Sequence, residues 1–215
     1  MRRQEKEIKN RAAIDQVLEA GEWGVLGLVS PEGKALLVPL NYVYFEGRIY
    51  FHGAHDGEKM DAIRANGEAT FLVVEAYAQI PSYAFDPERA CKATQFYRSV
   101  MAYGRVGLVE DLDRKARVLQ ATMERLQPEG GYRAIAASDP LYAAAVKEVA
   151  ILELTVARVS GKQEVGQRLT PSARASATES LLKRGGPGDL RAAAALGGPG
   201  SPAPSGEGPE AAPAS

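Results

Sequence analysis

The chain has 215 residues, 45% of them hydrophobic, with 26 basic against 27 acidic side chains and a formal net charge of −1. That balance supplies no field to draw in nucleic acid or an anionic membrane, and no apolar run approaches the roughly 20 residues that a membrane-spanning helix needs. One cysteine, Cys91, excludes an internal disulfide, and the charged start Met1-Arg2-Arg3-Gln4-Glu5-Lys6-Glu7 lacks the apolar stretch of an export signal, so a cytoplasmic protein is expected.

In chain order, the first expected element is a helix from about Glu5 to Ala20, with Ile8, Ile14, Val17 and Leu18 as its apolar stripe and Gly21 as its stop. A strand over 24–29, a turn at Pro31-Glu32-Gly33-Lys34, and a longer strand over 35–45 interrupted at Pro39 follow. Glu46-Gly47 reads as a two-residue hairpin loop leading into a strand over 48–52. A glycine-containing loop and a short helix over 58–65 precede a strand over 69–77, an irregular stretch over 78–93, and a long strand over 94–109. Asp111 then caps a helix with Leu112, Ala116, Leu119, Met123 and Leu126 at helical spacing. A second helix over 140–147 and a last strand over 149–159 complete the pattern. Six strands joined by hairpins and short helices exclude regular βα alternation, and closing them into a small barrel removes their edges. From Pro171 onward the chain is mainly Ala, Gly, Pro and Ser, with too little apolar side chain to offset ordering entropy. The expectation is one domain over 1–165 and a disordered tail over 166–215, with a short helix near Ala192–Leu196.

Three segments carry chemistry. In His52-Gly53-Ala54-His55-Asp56-Gly57-Glu58-Lys59, glycines let the backbone approach a ligand, and the helix start that follows favours an anion. Lys59 stands where the helix dipole opposes a cation, a penalty that a bound phosphate reverses; the alternative is a plain turn in which Asp56 and Glu58 balance Lys59. In Thr94–Gly104, alternation places Arg98 on the face of Phe96, Val100 and Ala102, where its guanidinium needs an anion, either a phosphate or a structural carboxylate. In Val38-Pro39-Leu40-Asn41-Tyr42, Pro39 marks an edge or a bulge, and Asn41 is placed to hydrogen-bond a heterocycle. His52 and His55 lack the further ligands a zinc site requires, so no metal is expected, and Cys91 has no local partner for thiol chemistry.

Taken in order, Arg2-Arg3, Val38–Tyr42, Tyr50-Phe51-His52-Gly53-Ala54 with Gly57 and Lys59, Tyr97–Gly104 and Ser160-Gly161-Lys162 make residues 1 to about 165 similar to the pyridoxamine 5′-phosphate oxidase-like superfamily, in particular its Nim-type nitroimidazole-resistance flavoproteins. The resemblance implies a mainly β protein with flanking helices, a six-stranded Greek-key split β-barrel, working as a homodimer with FMN at the subunit interface. It implies cofactor contacts from Pro39, Leu40, Asn41 and Tyr42, from His52, Gly53, Ala54, Gly57 and Lys59, and from Tyr97, Arg98 and Ser99. His52 matches a histidine near the flavin ring and is the candidate catalytic residue, able to donate to the ring or relay a proton. The expected function is an FMN-dependent oxidoreductase that reduces a small acceptor such as a nitroaromatic compound, with a nicotinamide donor plausible. The alternatives are an FMN-binding module for storage or sensing without turnover, and a related oxidase-like split barrel that binds heme or a deazaflavin. The oxidase's basic pocket for a substrate phosphate is not found, and the physiological acceptor, the donor and the tail's role are not legible.

Overall fold

A computed structural model of the chain describes residues 3–197. The first helix, α1 (Arg11–Ala20), starts later than expected because Asn10 caps it, its side chain accepting from the N–H of Ala12 at 2.8 Å and of Ala13 at 3.4 Å. The residues before the cap form a single 3₁₀ turn and a two-residue strand, β1 (Glu7–Ile8), paired with Lys162 and Gly161. The strands β2 (Gly24–Val29), β3 (Ala35–Leu40), β4 (Val43–Phe45) and β5 (Arg48–Gly53) follow, then α2 (Glu58–Ala65). After these come β6 (Glu68–Ile80), β7 (Thr94–Leu108), α3 (Leu112–Leu126), α4 (Ala143–Glu148) and β8 (Ala150–Glu164). The strand expected over 35–45 is two strands, and the break falls at Asn41-Tyr42 rather than at Pro39. Pro39 stays inside β3 because β3 is an edge strand, where a missing N–H is tolerated.

The sheet order is β3-β2-β6-β7-β8-β5-β4, with β1 added at β8, and the registers of β2 with β3 and β6, and of β5 with β4 and β8, are antiparallel. This is the split β-barrel with flanking helices, its strand count raised from six to eight by the division of 35–45 and by β1. The hairpin between β4 and β5 turns through Glu46 (φ 50°) and Gly47 (φ 74°), the left-handed pair that a tight two-residue loop requires. Arg114 and Arg117 both bind the Glu46 carboxylate, holding the turn to α3. Asp111 caps α3 as expected, accepting from the Arg114 N–H at 2.6 Å. The buried face of α3 is Lys115, Ala116 and Val118, while Leu112 and Leu126, expected in its stripe, stay exposed.

Contacts group the described residues into two compact units, 3–75 with 98–163 and 76–97 with 164–197. The first unit's core joins Leu26, Phe51, Met60, Phe71, Val100 and Leu154, with Phe51 stacked on Phe71 at 6.1 Å between centroids. Where β7 meets β8, a side chain on Gly104 would place its Cβ 1.9 Å from the Thr155 carbonyl oxygen, so only glycine fits.

The second unit overturns the expected disorder over 166–197. Thr170 caps a helix, α5 (Pro171–Arg184), with Pro171 in its first turn and Gly185 (φ 61°) closing it. A shorter helix, α6 (Asp189–Ala195), follows. Leu181, Ala192, Ala193 and Leu196 bury themselves against Ala78, Ile80 and Phe96, and Arg184 pairs with the buried Asp189. Small residues suffice here because alanine faces pack closely on the ends of two strands, so the low apolar volume of the sequence was a poor guide. Residues 198–215 of the expected tail lie outside the described residues. Among the described residues, no helix is long and apolar enough to cross a membrane.

The close approach at Gly104 has a built-in control. Gly104→Ala is expected to destabilise the fold by about 1–3 kcal/mol, whereas Gly107→Ala on the same strand, with nothing within 4 Å of the added Cβ, is expected to be tolerated. Thermal denaturation of both variants checks the contrast.

Candidate functional site

The end of β5 and the start of α2 meet at Gly53 and Lys59. A Cβ on Gly53 would lie 2.5 Å from the Lys59 ammonium, so the lysine side chain folds back over the glycine in the space a side chain there would take. Gly57 (φ 96°) caps α2 without a side chain, and the N–H groups of Met60 and Asp61 return to the Gly57 carbonyl. The N–H groups of Glu58 and Lys59, ahead of these, have no acceptor among the described residues, as the first turn of a helix dictates. Lys59 is half-buried, and burial holds its ammonium below the ordinary lysine value. No ion pair joins it to Asp56 or Glu58, and Asp61 is taken by Arg64 at 3.1 Å. The balanced-turn alternative therefore has no direct ion pair behind it. Lys59 is a cation without a counter-charge among the described residues, at a helix end that already carries partial positive charge.

Arg98 has a different fate. It alternates with the buried Val100 and Ala102, as expected, but its guanidinium lies on Glu75, with Nη2 at 2.8 Å and Nε at 2.9 Å from the same carboxylate oxygen. Glu75 is only 7% exposed. Of the two partners left open in the sequence, the structure supplies the carboxylate.

The other expected positions divide similarly. Tyr42 is buried in the core, where its hydroxyl donates to the Leu18 carbonyl at 2.6 Å and its ring lies under the Arg125 guanidinium. Arg125 itself donates to the Glu19 carbonyl at 2.9 Å and to that of Gly21, so the pair secures the end of α1. Burial pushes the Tyr42 hydroxyl up to about 12. Asn41 is exposed in the β3–β4 connection rather than in a strand, with Pro39 exposed and Leu40 half-buried beside it. Ser99 and Tyr97 are each half-buried on β7, and Ala54 is exposed just past β5.

His52 is exposed on β5. Phe51 belongs to the main core and Tyr50 to the cluster with Val118 and Ile151, so alternation puts His52 on the Tyr50 side, opposite Gly53. His55 is fixed differently, its Nε2 3.0 Å from the Glu148 carbonyl oxygen. No three His, Cys, Asp or Glu side chains among the described residues are grouped to hold a metal.

One exposed residue near Asn41 has no counterpart among the expected positions. Trp23 is 55% exposed immediately before β2, and the pairing of Gly24 with Leu40 sets it beside Asn41. The available signal was a sole tryptophan next to a glycine at the edge of a strand.

A split barrel with an uncompensated cation at a helix N-terminus is the class that this geometry defines. A sequence profile of the family described as pyridoxamine 5′-phosphate oxidase matches residues 10–163, and the chain belongs to that family. Among solved structures, a candidate 5-nitroimidazole antibiotic resistance protein of Bacteroides thetaiotaomicron superposes with a TM-score of 0.60 at 19% identity, covering 73% of this chain and 86% of that one. A flavocytochrome of Azotobacter vinelandii gives 0.61 at 22% identity, covering 74% and 69%. An FAD and heme binding protein of Mycobacterium smegmatis gives 0.59 at 18%, covering 74% and 73%. At these identities the likeness is one of fold. No curated protein is significantly similar in sequence.

Removing Arg98 tests its assignment to Glu75. Arg98→Met leaves a buried carboxylate without its arginine and is expected to cost about 3–5 kcal/mol, measured by denaturant unfolding. The double variant Arg98→Met with Glu75→Leu is expected to recover a large part of that loss.

Proposed function

We propose that the chain binds a flavin, FMN, with the phosphate seated at the start of α2, and that it acts as an oxidoreductase toward a small acceptor. The observation that carries the reading is Lys59: half-buried, lacking a carboxylate partner, and grouped with the N–H groups of Glu58 and Lys59. An ammonium plus helix-start N–H groups is a donor set suited to a phosphate dianion. Names among the structural neighbours, a flavocytochrome and an FAD and heme binding protein, support a flavin over other phosphates.

Bound there, a flavin would supply the redox chemistry for reducing an acceptor such as a nitroaromatic compound, with a nicotinamide as the donor. The chain's own part is to hold the phosphate through Lys59 and the α2 N-terminus, and to border the heterocycle with Asn41 and Trp23. His52, with no hydrogen-bond partner among the described residues, is the imidazole available to move a proton at the rim. Arg98 is paired with Glu75, so the reading rests on Lys59.

The same reading includes a homodimer. One face of β3, β2 and β6 aligns Leu37, Val25, Val29, Leu72 and Val74, and it leaves Leu37 70% and Val74 49% exposed. A second copy of the chain is the natural cover for such a face. Sedimentation equilibrium is expected to give twice the chain mass, and Leu37→Lys to give a monomer.

Flavin-fluorescence titration tests the site. Lys59→Met is expected to weaken FMN binding about ten-fold or more, with the fold intact by circular dichroism, and Lys59→Arg to retain most of the affinity. The protonated lysine is the binding form, and burial lowers its pKa in the free protein. Affinity should therefore be full near neutral pH and fall as pH rises, starting below the ordinary lysine value of 10.5; this loss should be missing from Lys59→Met. Unchanged affinity in Lys59→Met would remove the lysine from the phosphate site. Acceptor-dependent oxidation of a nicotinamide donor then separates an enzyme from a flavin store.

A further inference from the structure

At the far end of β5 from Gly53, a cleft of about 340 Å³ opens between α1, the β4–β5 turn and the middle of β8. Three arginines line it: Arg11 from α1, Arg48 from the start of β5 and Arg158 from β8. Their charges are only partly matched. Arg11 gives Nε to Asp15 at 2.8 Å and Nη2 to the Tyr44 hydroxyl at 3.0 Å, leaving Nη1. Arg48 uses Nη1 alone, on Glu153. Arg158 has no carboxylate partner among the described residues, and its guanidinium carbon stands 3.7 Å from the centroid of the Tyr103 ring. Two carboxylates therefore face three guanidinium groups, and stacking fixes the unmatched one in place.

Surface arginines are ordinary, but three lining one concavity, each with N–H groups to spare, make a surface that attracts an anion. The guanidinium fork matches the two or three oxygens of a carboxylate or phosphate. The remaining lining includes Thr155, Val156 and Val159, giving a hydroxyl and apolar surface beside the charge. The cleft has ligand-scale volume, at the lower end of the usual range, with room for a small organic body beyond a bare anion.

We infer that this cleft is a second ligand site, binding a compact organic acid or phosphate ester through its oxyanion, with Arg158 as the principal contact. It is separated from Lys59 by the length of β5, about 17 Å at the usual rise per residue. It also belongs to β5 and β8 rather than to the β3–β2–β6 face. The site does not depend on flavin binding.

The test is isothermal titration of the full chain at low salt, with saturating FMN present to fill the α2 seat, using phenyl phosphate, benzoate and inorganic phosphate. Phenyl phosphate or benzoate should bind in the sub-millimolar range, inorganic phosphate more weakly, and the preference between the first two identifies ester or acid. Arg158→Gln alters an exposed side chain and should keep the fold; it is expected to weaken binding about ten-fold or more, while Lys59→Met leaves binding unchanged. Absence of binding by either organic probe at millimolar concentration overturns the inference. So does binding that survives Arg158→Gln or is lost in Lys59→Met, which would put the anion at α2. Inorganic phosphate binding as tightly as the organic probes would overturn the assignment of an organic ligand.

Discussion

At residue 104 the backbones of β7 and β8 come so close that no side chain can stand between them. Much of the first unit's arrangement follows from that approach. β8 passes its register to β5 through five pairs, from Ile49 with Leu154 to Gly53 with Ala150. The end of β5 is thereby placed, and Lys59 packs on Gly53 there. The other end of β5 carries the Glu46-Gly47 turn, which Arg114 and Arg117 hold against α3. A single glycine thus sits upstream of both the candidate phosphate seat and the arginine-lined cleft.

Two cations that look alike in the sequence are put to opposite uses. Arg98 lies within a strand on a buried face, where an unpaired charge is prohibitively costly, and Glu75 meets it from the neighbouring strand. Lys59 stands at a helix end that is only half-buried, where solvent lowers the penalty of leaving a charge unmatched. The chain neutralises the first internally and keeps the second open. Openness at a modest energetic cost is what a ligand seat needs, which is why the lysine and not the arginine carries the functional reading.

The strands were legible because their signals are local: alternation along 94–109, the Glu46-Gly47 turn, the Asp111 cap. Pro39 was read correctly as an edge marker, yet the break came two residues later, since an edge strand can keep a proline. The start of α1 was misplaced because Ile8 fits a helical stripe as well as a strand position, and only pairing with Gly161 decides between them. The structural role of Tyr42 is illegible for a similar reason. Its place beside Asn41 suggests a ligand, but its hydroxyl closes α1 across 24 residues of sequence, a contact that no local pattern announces. The helix over 171–184 was legible and was overlooked: Thr170-Pro171 and Gly185-Gly186 are start and stop signals, outweighed in the reading by an alanine- and glycine-rich composition.

The second unit also sets where the protein can be shortened. A boundary drawn by composition near residue 165 would remove α5 and α6 and bare Ile80 and Phe96, which Leu181, Ala192 and Leu196 now cover. Such a fragment would carry a new sticky surface, prone to self-association and to degradation in the cell, even with its barrel strands intact. For expression and crystallisation a cut near residue 165 is therefore one to avoid, and the helical extension is best treated as part of the folding unit.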